Sequence, residues 1–188
     1  MDGYKFCRIF FGSGVPFAAA ILAATATAQP RPLETQVKAA FIQKFAAYVT
    51  WPPGALGAPD DPIQTCIIGR DPFGPELDQA VARQHIDQHP FLVRRLDGTA
   101  SAAHCHIAFL GGSTRQGAAA MQDALRGMPI LTVTDASLGA ERGMVHFALK
   151  DGRVRFHIDD GLAARSNLAI SARLLSIAIS VKPRARTS

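Results

Sequence analysis

The 188-residue chain is poor in the residues that catalytic and metal sites draw on. It has three cysteines and six histidines. It contains no G-x-S-x-G elbow, no phosphate-binding P-loop and no H-E-x-x-H pair, so the common signatures of serine hydrolases, nucleotide enzymes and zinc peptidases are missing. No apolar run after residue 28 is long enough for a membrane span, which needs about 20 residues. Charged residues make up 19% of the chain and the net charge is +5. That is mildly basic, suited to an acidic partner or to ordinary solvation, and far from the dense basic clustering of a nucleic-acid binder. Internal repeats and low-complexity blocks are also absent.

What is present begins at the N-terminus. Lys5 and Arg8 precede an apolar or small stretch from Ile9 to Ala24, interrupted only by Gly12, Ser13, Gly14 and Pro16, and Ala26-Thr27-Ala28 follows. This is the order of a secretory signal peptide cleaved before Gln29. The sequence therefore predicts a leader over residues 1–28, a single domain over 29–180 and a short basic tail over 181–188, expected to be disordered. The exported domain of about 160 residues is large enough for a full core. Two of the three cysteines, Cys66 and Cys105, remain in it. In an oxidising compartment an isolated pair is bridged more often than not.

Strands and helices alternate along the domain. Leu33 to Trp51 reads as a helix with Val37, Phe41, Phe45, Tyr48 and Val49 on one stripe, stopped by Pro52-Pro53. Short strands are expected at Ile63–Ile68, Pro90–Arg94, His106–Leu110 and Ile130–Val133. Between them, Asp71-Pro72 has the look of an N-cap and first helical residue for a helix to about Gln84. Ser113 or Thr114 would cap another helix reaching Arg126. This pattern predicts an α/β fold, a mostly parallel sheet with helices on both faces. Asp151-Gly152 then separates Met144–Lys150 from Arg153–Ile158, a strong hairpin signal. A two-residue turn pairs Lys150 with Arg153, sending Val145, Phe147, Leu149, Val154, Phe156 and Ile158 to the core. His146, Ala148, Lys150, Arg153, Arg155 and His157 fall on a basic, solvated face. Ser171–Ile179 is a final helix with Leu174, Leu175 and Ala178 inward.

Three arrangements invite a chemical reading. In open α/β sheets small ligands bind at the carboxyl ends of the strands, which makes Arg70, Asp71, Ser113 and Asp135 candidate ligand-binding residues. Turn and capping roles explain each of them singly. His104-Cys105-His106 places two imidazoles on one side of a strand, and His146 faces His157 across the hairpin. Cys105 points away from the first pair, the second has no evident third ligand apart from Asp159, and Lys150, Arg153 and Arg155 would repel a cation there, so no metal and no cofactor are expected. No nucleophile stands beside a base, and an enzyme is not expected.

Several stretches taken together, in order, resemble the YfiR-like family of periplasmic regulatory proteins. They are Val37 to Pro52 (VKAAFIQKFAAYVTWP), Cys66 to Asp78 (CIIGRDPFGPELD), Cys105 to Ser113 (CHIAFLGGS), Pro129 to Asp135 (PILTVTD), Gly143 to Asp159 (GMVHFALKDGRVRFHID) and Leu168 to Ala178 (LAISARLLSIA). The resemblance implies a periplasmic protein that binds the periplasmic part of a membrane-bound diguanylate cyclase and holds it inactive, with a homodimer as its form. It also implies a disulfide between Cys66 and Cys105. Some members carry a second cysteine pair near the hairpin, and this chain has no cysteine after Cys105. One difficulty accompanies the bridge. If Gly69 and Gly111 end their strands at one level, the cysteines lie three residues out of step, about 10 Å, beyond disulfide reach. The partner interface is expected on the hairpin face around Arg153 and Arg155, or on the last helix. The rival reading is a small-ligand binding or sensing protein coupled to a sensor kinase.

Overall fold

The computed structural model describes residues 32–113 and 116–185. The expected leader over 1–28 lies outside the described residues. Helix α1 runs Pro32–Ala46 and buries Lys38, Ala39, Ile42, Phe45 and Ala46, with Val37 and Phe41 flanking that face. It ends five residues earlier than the pattern predicts. Tyr48-Val49-Thr50-Trp51 is rich in β-branched and aromatic residues, which favour extended backbone, and Trp51 precedes a proline, which disfavours helix. The chain instead forms a two-residue strand β1, Val49–Thr50, paired antiparallel with β9, Ala169–Ile170.

The remaining strands are β2 (Ile63–Gly69), β3 (His85–Ile86), β4 (His89–Leu96), β5 (Ile107–Gly112), β6 (Leu131–Asp135), β7 (Val145–Lys150), β8 (Arg153–Asp159) and β10 (Val181–Lys182). Helices α2 (Pro75–Val81), α3 (Ala118–Ala124), α4 (Asp160–Arg165) and α5 (Ala172–Ser176) connect them, with a 3-10 turn at Thr99–His104 before β5. The main sheet has the order β10-β8-β7-β6-β5-β2-β4-β3. Strands β4, β2, β5, β6 and β7 are parallel neighbours, β8 returns antiparallel, and β3 is a short antiparallel edge. This is the α/β architecture expected, with the hairpin and final helix in place.

Side chains alternate along each strand, so each face of the sheet has its own core. Ile63, Ile67, Ile107, Phe109, Leu131, Val133, Val145 and Phe147 join α1 and α2 in the larger cluster. Phe45 anchors it, its ring centroid 5.7 Å from that of Phe147 and 5.2 Å from that of Phe156. On the opposite face Cys66, Ile68, Ala108 and Leu110 pack against Met121 and Leu125. That second layer covers the middle of the sheet. Farther along the same face, over β6, β7 and β8, lie Thr134, His146 and His157 instead of aliphatic residues.

The hairpin adopts the expected register, Lys150 opposite Arg153 and His146 opposite His157. Asp151 and Gly152 both have positive φ, 52° and 70°, as the two central residues of a twisted two-residue turn require. Two expectations about the hairpin faces change. Leu149, at the tip, is 55% exposed because the core ends before it. His146, expected on the wet face, is buried at 4% exposure. Helix α5 is shorter than expected and starts at Ser171, whose hydroxyl accepts from the Leu174 amide. Leu174 is buried, while Leu175 and Ala178 are half-buried. Residues 181–185, in the stretch expected as a tail, lie against the body. Val181 pairs with Ile158 and Lys182 with Asp159, and the Arg184 guanidinium donates to both carboxylate oxygens of Asp160. Residues 186–188 lie outside the described residues.

Candidate functional site

Sheet order reverses between β2 and β5. The chain leaves β2 toward β4 on one side, and leaves β5 toward β6 and β7 on the other. A switch of this kind is where open α/β sheets open a ligand crevice. Here the two strand ends close on each other. The Arg70 amide donates to the Gly112 carbonyl at 2.9 Å. A Cβ on Gly111 would lie 1.9 Å from the Arg70 carbonyl oxygen, and one on Gly69 would lie 2.3 Å from that of Gly112. The glycines are therefore required for backbone-to-backbone packing.

The polar side chains along this edge have local partners. The Asp71 carboxylate accepts from the Phe73 and Gly74 amides at 2.7 and 3.1 Å. It turns the chain without capping the helix, which starts at Pro75 after Gly74. Its second oxygen accepts from Arg95 Nε at 2.8 Å. Arg95 also donates to Asp78 at 2.6 Å and to the Gly74 carbonyl at 2.7 Å. This fork holds the Asp78 carboxyl below the usual range and raises the guanidinium, chiefly through the hydrogen bond between them. The Ser113 hydroxyl accepts from the Gln116 amide at 3.0 Å. It does not cap α3, whose N-cap is Gly117. The stretch between, residues 114–115, lies outside the described residues. Arg70 is exposed.

Asp135 has the strongest partner. Lys38 Nζ lies 2.6 Å from its carboxylate and 2.5 Å from Glu34, with the Lys38 and Asp135 side chains 4% and 3% exposed. Asp135 also accepts from the Ser137 amide and hydroxyl, both at 2.9 Å. It ties α1 to the end of β6. The four expected ligand residues thus share a sheet edge, and Asp71, Ser113 and Asp135 are each engaged with different neighbours. Sequence reasoning missed Lys38 and Arg95. For Lys38 a signal existed, a cation one residue from Ala39 on the apolar stripe of α1.

Cys66 and Cys105 form a disulfide with their Cα atoms 5.9 Å apart. The offset that opposed the bridge is real, since Cys66 pairs with Ala108 across the ladder. It is overcome because Cys105 is not on the strand. It ends the 3-10 turn before β5, and the chain there drops onto the face where the Cys66 side chain points. Both sulfurs lie in the second core cluster. Beside the bridge, His106 uses both ring nitrogens. Nδ1 accepts from the Gln64 amide at 2.8 Å and Nε2 donates to the Ala55 carbonyl at 3.0 Å. Its role is to fasten the 52–62 loop to β2. Burial lowers its pKa.

The second histidine pair lies in a cavity of about 350 Å³. It is open to solvent and lined by the 140–143 segment, the far ends of β7 and β8, and residues Ser180 and Lys182. Gly143 brings the segment onto β6. Its amide donates to Thr134 Oγ1 at 2.8 Å, and a Cβ there would lie 2.8 Å from the Thr132 carbonyl oxygen. Thr134 Oγ1 in turn lies 2.8 Å from His146 Nδ1, and His157 Nδ1 lies 2.7 Å from Ser180 Oγ. The two rings are 6.3 Å apart. Both pKa values are lowered, first by burial and then by the Arg142 guanidinium. At the other end of the hairpin Lys150, Arg153 and Arg155 are exposed. Among the described residues no group of three or more metal-ligating side chains converges, and no helix is long and apolar enough to cross a membrane.

A family model described as YfiR/HmsC-like matches residues 35–179, which spans α1 through α5 and includes the disulfide, the hairpin and the buried Lys38–Asp135 pair. A comparison with curated proteins finds no match.

Proposed function

The chain belongs to the YfiR/HmsC-like family, at family level periplasmic regulators of cyclic di-GMP signalling and not enzymes, and from that premise we propose that it restrains a membrane-bound diguanylate cyclase by binding the cyclase's periplasmic domain. The protein acts stoichiometrically, as a homodimer exported through its leader. Its bound form favours the inactive conformation of the partner, which requires different affinities for the partner's two states. The disulfide holds the binding-competent shape of the domain.

The observation that carries this reading is the distribution of polar groups. Those at the carboxyl edge of the sheet are largely spent on turns and ion pairs within the domain. At the hairpin tip, Lys150, Arg153 and Arg155 form no ion pair among the described residues and share one exposed face, while Leu149 is exposed on the other. An exposed cationic face without internal ion pairs suits an acidic protein surface, where such charges set association rate and register.

Cellular cyclic di-GMP tests the reading. Deleting the gene should raise it, the wild-type gene should restore it, and an Arg155→Glu gene should restore it poorly. An unchanged level after deletion refutes the cyclase partner. Full restoration by Arg155→Glu refutes the hairpin interface.

A further inference from the structure

The cavity between His146 and His157 is not used by the proposed contact with a partner, and its chemistry points to a ligand. Three groups that repel one another when charged converge on it from separate elements. Arg142 comes from the segment before β7, His146 from β7 and His157 from β8. Arg142 depresses the protonation of both rings. Each ring is anchored through Nδ1, His146 on Thr134 and His157 on Ser180, and among the described residues neither Nε2 has a protein partner.

The tautomer of His146 follows from hydrogen-bond arithmetic. A hydroxyl has one proton to donate and lone pairs to accept with. Thr134 Oγ1 already accepts from the Gly143 amide, and the nearby acceptor for its own proton is His146 Nδ1 at 2.8 Å. Thr134 therefore donates to Nδ1, and the neutral ring carries its hydrogen on Nε2. That donor belongs to a side chain 4% exposed that lines the cavity. Nε2 is not among the fully buried unpaired atoms of the described residues, so it opens to the cavity and offers its hydrogen to a ligand or water there.

We propose that this cavity binds a small oxyanion, held by Arg142, His146 and His157. A cation is disfavoured once the imidazoles are protonated, and an apolar ligand would offer the Nε2 donor no acceptor. The remaining charges facing the rings make the site pH-dependent. Lys182 is paired with Asp159 at 3.0 Å, and the other oxygen of Asp159 accepts from the Leu162 amide. Glu141 also lines the cavity, and Asp135 acts on His146 from the end of β6. With neutral imidazoles Arg142 and Lys182 balance Glu141 and Asp159. Protonating the rings makes the cavity strongly positive, so an anion binds more tightly as pH falls and raises both histidine pKa values by linkage.

Sulfate is a suitable probe because it stays a dianion across the range that histidine titrates. Calorimetric titration of the purified protein, with chloride at matched ionic strength as the control, should give saturable binding near pH 6 that weakens about tenfold by about pH 8. Arg142→Gln should weaken it about tenfold at both values, through loss of one charge-assisted hydrogen bond, while leaving the melting temperature in sulfate-free buffer at about pH 8 unchanged, because Arg142 is exposed and the imidazoles are neutral there. Imidazole resonances place the anion independently of any variant, with His146 and His157 shifting on titration and His106 staying still. Heat no greater than with chloride, equal affinity at both pH values, wild-type binding by Arg142→Gln, or shifts confined to other histidines would each overturn the proposal.

Discussion

Removing the Cys66–Cys105 bridge should lower stability by an amount that the loop length sets. The cysteines are 39 residues apart in sequence. Closing a loop of that size removes about 13 cal/mol/K of entropy from the unfolded chain, or about 4 kcal/mol at room temperature. For a domain of this size each kcal/mol moves the melting temperature by about 2–4 °C, so the shift should be about 8–16 °C. The substitution matters. Cys66 is fully buried and Cys105 3% exposed, so a serine would add an unpaired hydroxyl to an apolar cluster and confuse the result. The double variant Cys66→Ala, Cys105→Ala avoids that and leaves only a small void. Thermal melts should be recorded for both proteins with and without reductant. Reductant should bring the wild type down close to the variant and leave the variant where it was. A variant melting within about 3 °C of the oxidised wild type would refute the loop-entropy reasoning, since the predicted stabilisation is several times larger.

Lys38→Met should destabilise the fold by about 3–5 kcal/mol in a denaturant titration, because it leaves Asp135 buried without its cation. Adding Asp135→Leu should recover much of that loss, and a single variant as stable as the wild type would show that Lys38 contributes nothing net. Thermal stability should fall as pH drops below about 6.5, the unfolded histidine value. His106, His146 and His157 all have lowered folded pKa values. The unfolded chain therefore binds more protons, and stability present above that pH is lost as pH falls through the folded values. His106 should contribute through its geometry, since a proton on Nδ1 would face the Gln64 amide donor-to-donor. His106→Gln should flatten the profile, and an equally steep loss in that variant would refute this role.

Much of the fold could be read from residue patterns because its long elements are periodic. Apolar runs ending in Gly69, Gly111-Gly112 and Asp135 marked the parallel strands, and Asp151-Gly152 set the hairpin register to the residue. The elements that escaped are short and are decided by distant partners. Val49–Thr50 is a strand only because Ala169–Ile170 lies beside it, and Val181–Lys182 only because β8 offers an open edge. Two residues carry no period. The placement of residues 181–185 likewise rests on Asp159 and Asp160, acidic groups 23 and 24 positions earlier in the chain.

The candidate sites divide along the same line. Residues at strand ends are candidates because the α/β edge commonly binds ligands, but position alone does not say whether a carboxylate is free. Asp71 and Asp135 stand where a ligand group would stand, and each is held by a cation from another element, Arg95 on β4 and Lys38 on α1. The histidine cavity shows the converse. Pairing His146 with His157 needed only the hairpin turn, so half of that site was visible in the sequence. Its character as an anion pocket was not, because Arg142 lines the cavity only once Gly143 seats its segment on Thr132 and Thr134. A glycine with no room for a side chain and a threonine that orients a ring decide the chemistry there, and neither residue type announces a site by itself. A Gly143→Ala substitution should therefore act on the cavity through position. By lifting Arg142 away it should raise the histidine pKa values while weakening sulfate binding, whereas simple loss of a cationic contact at Arg142 leaves the segment in place.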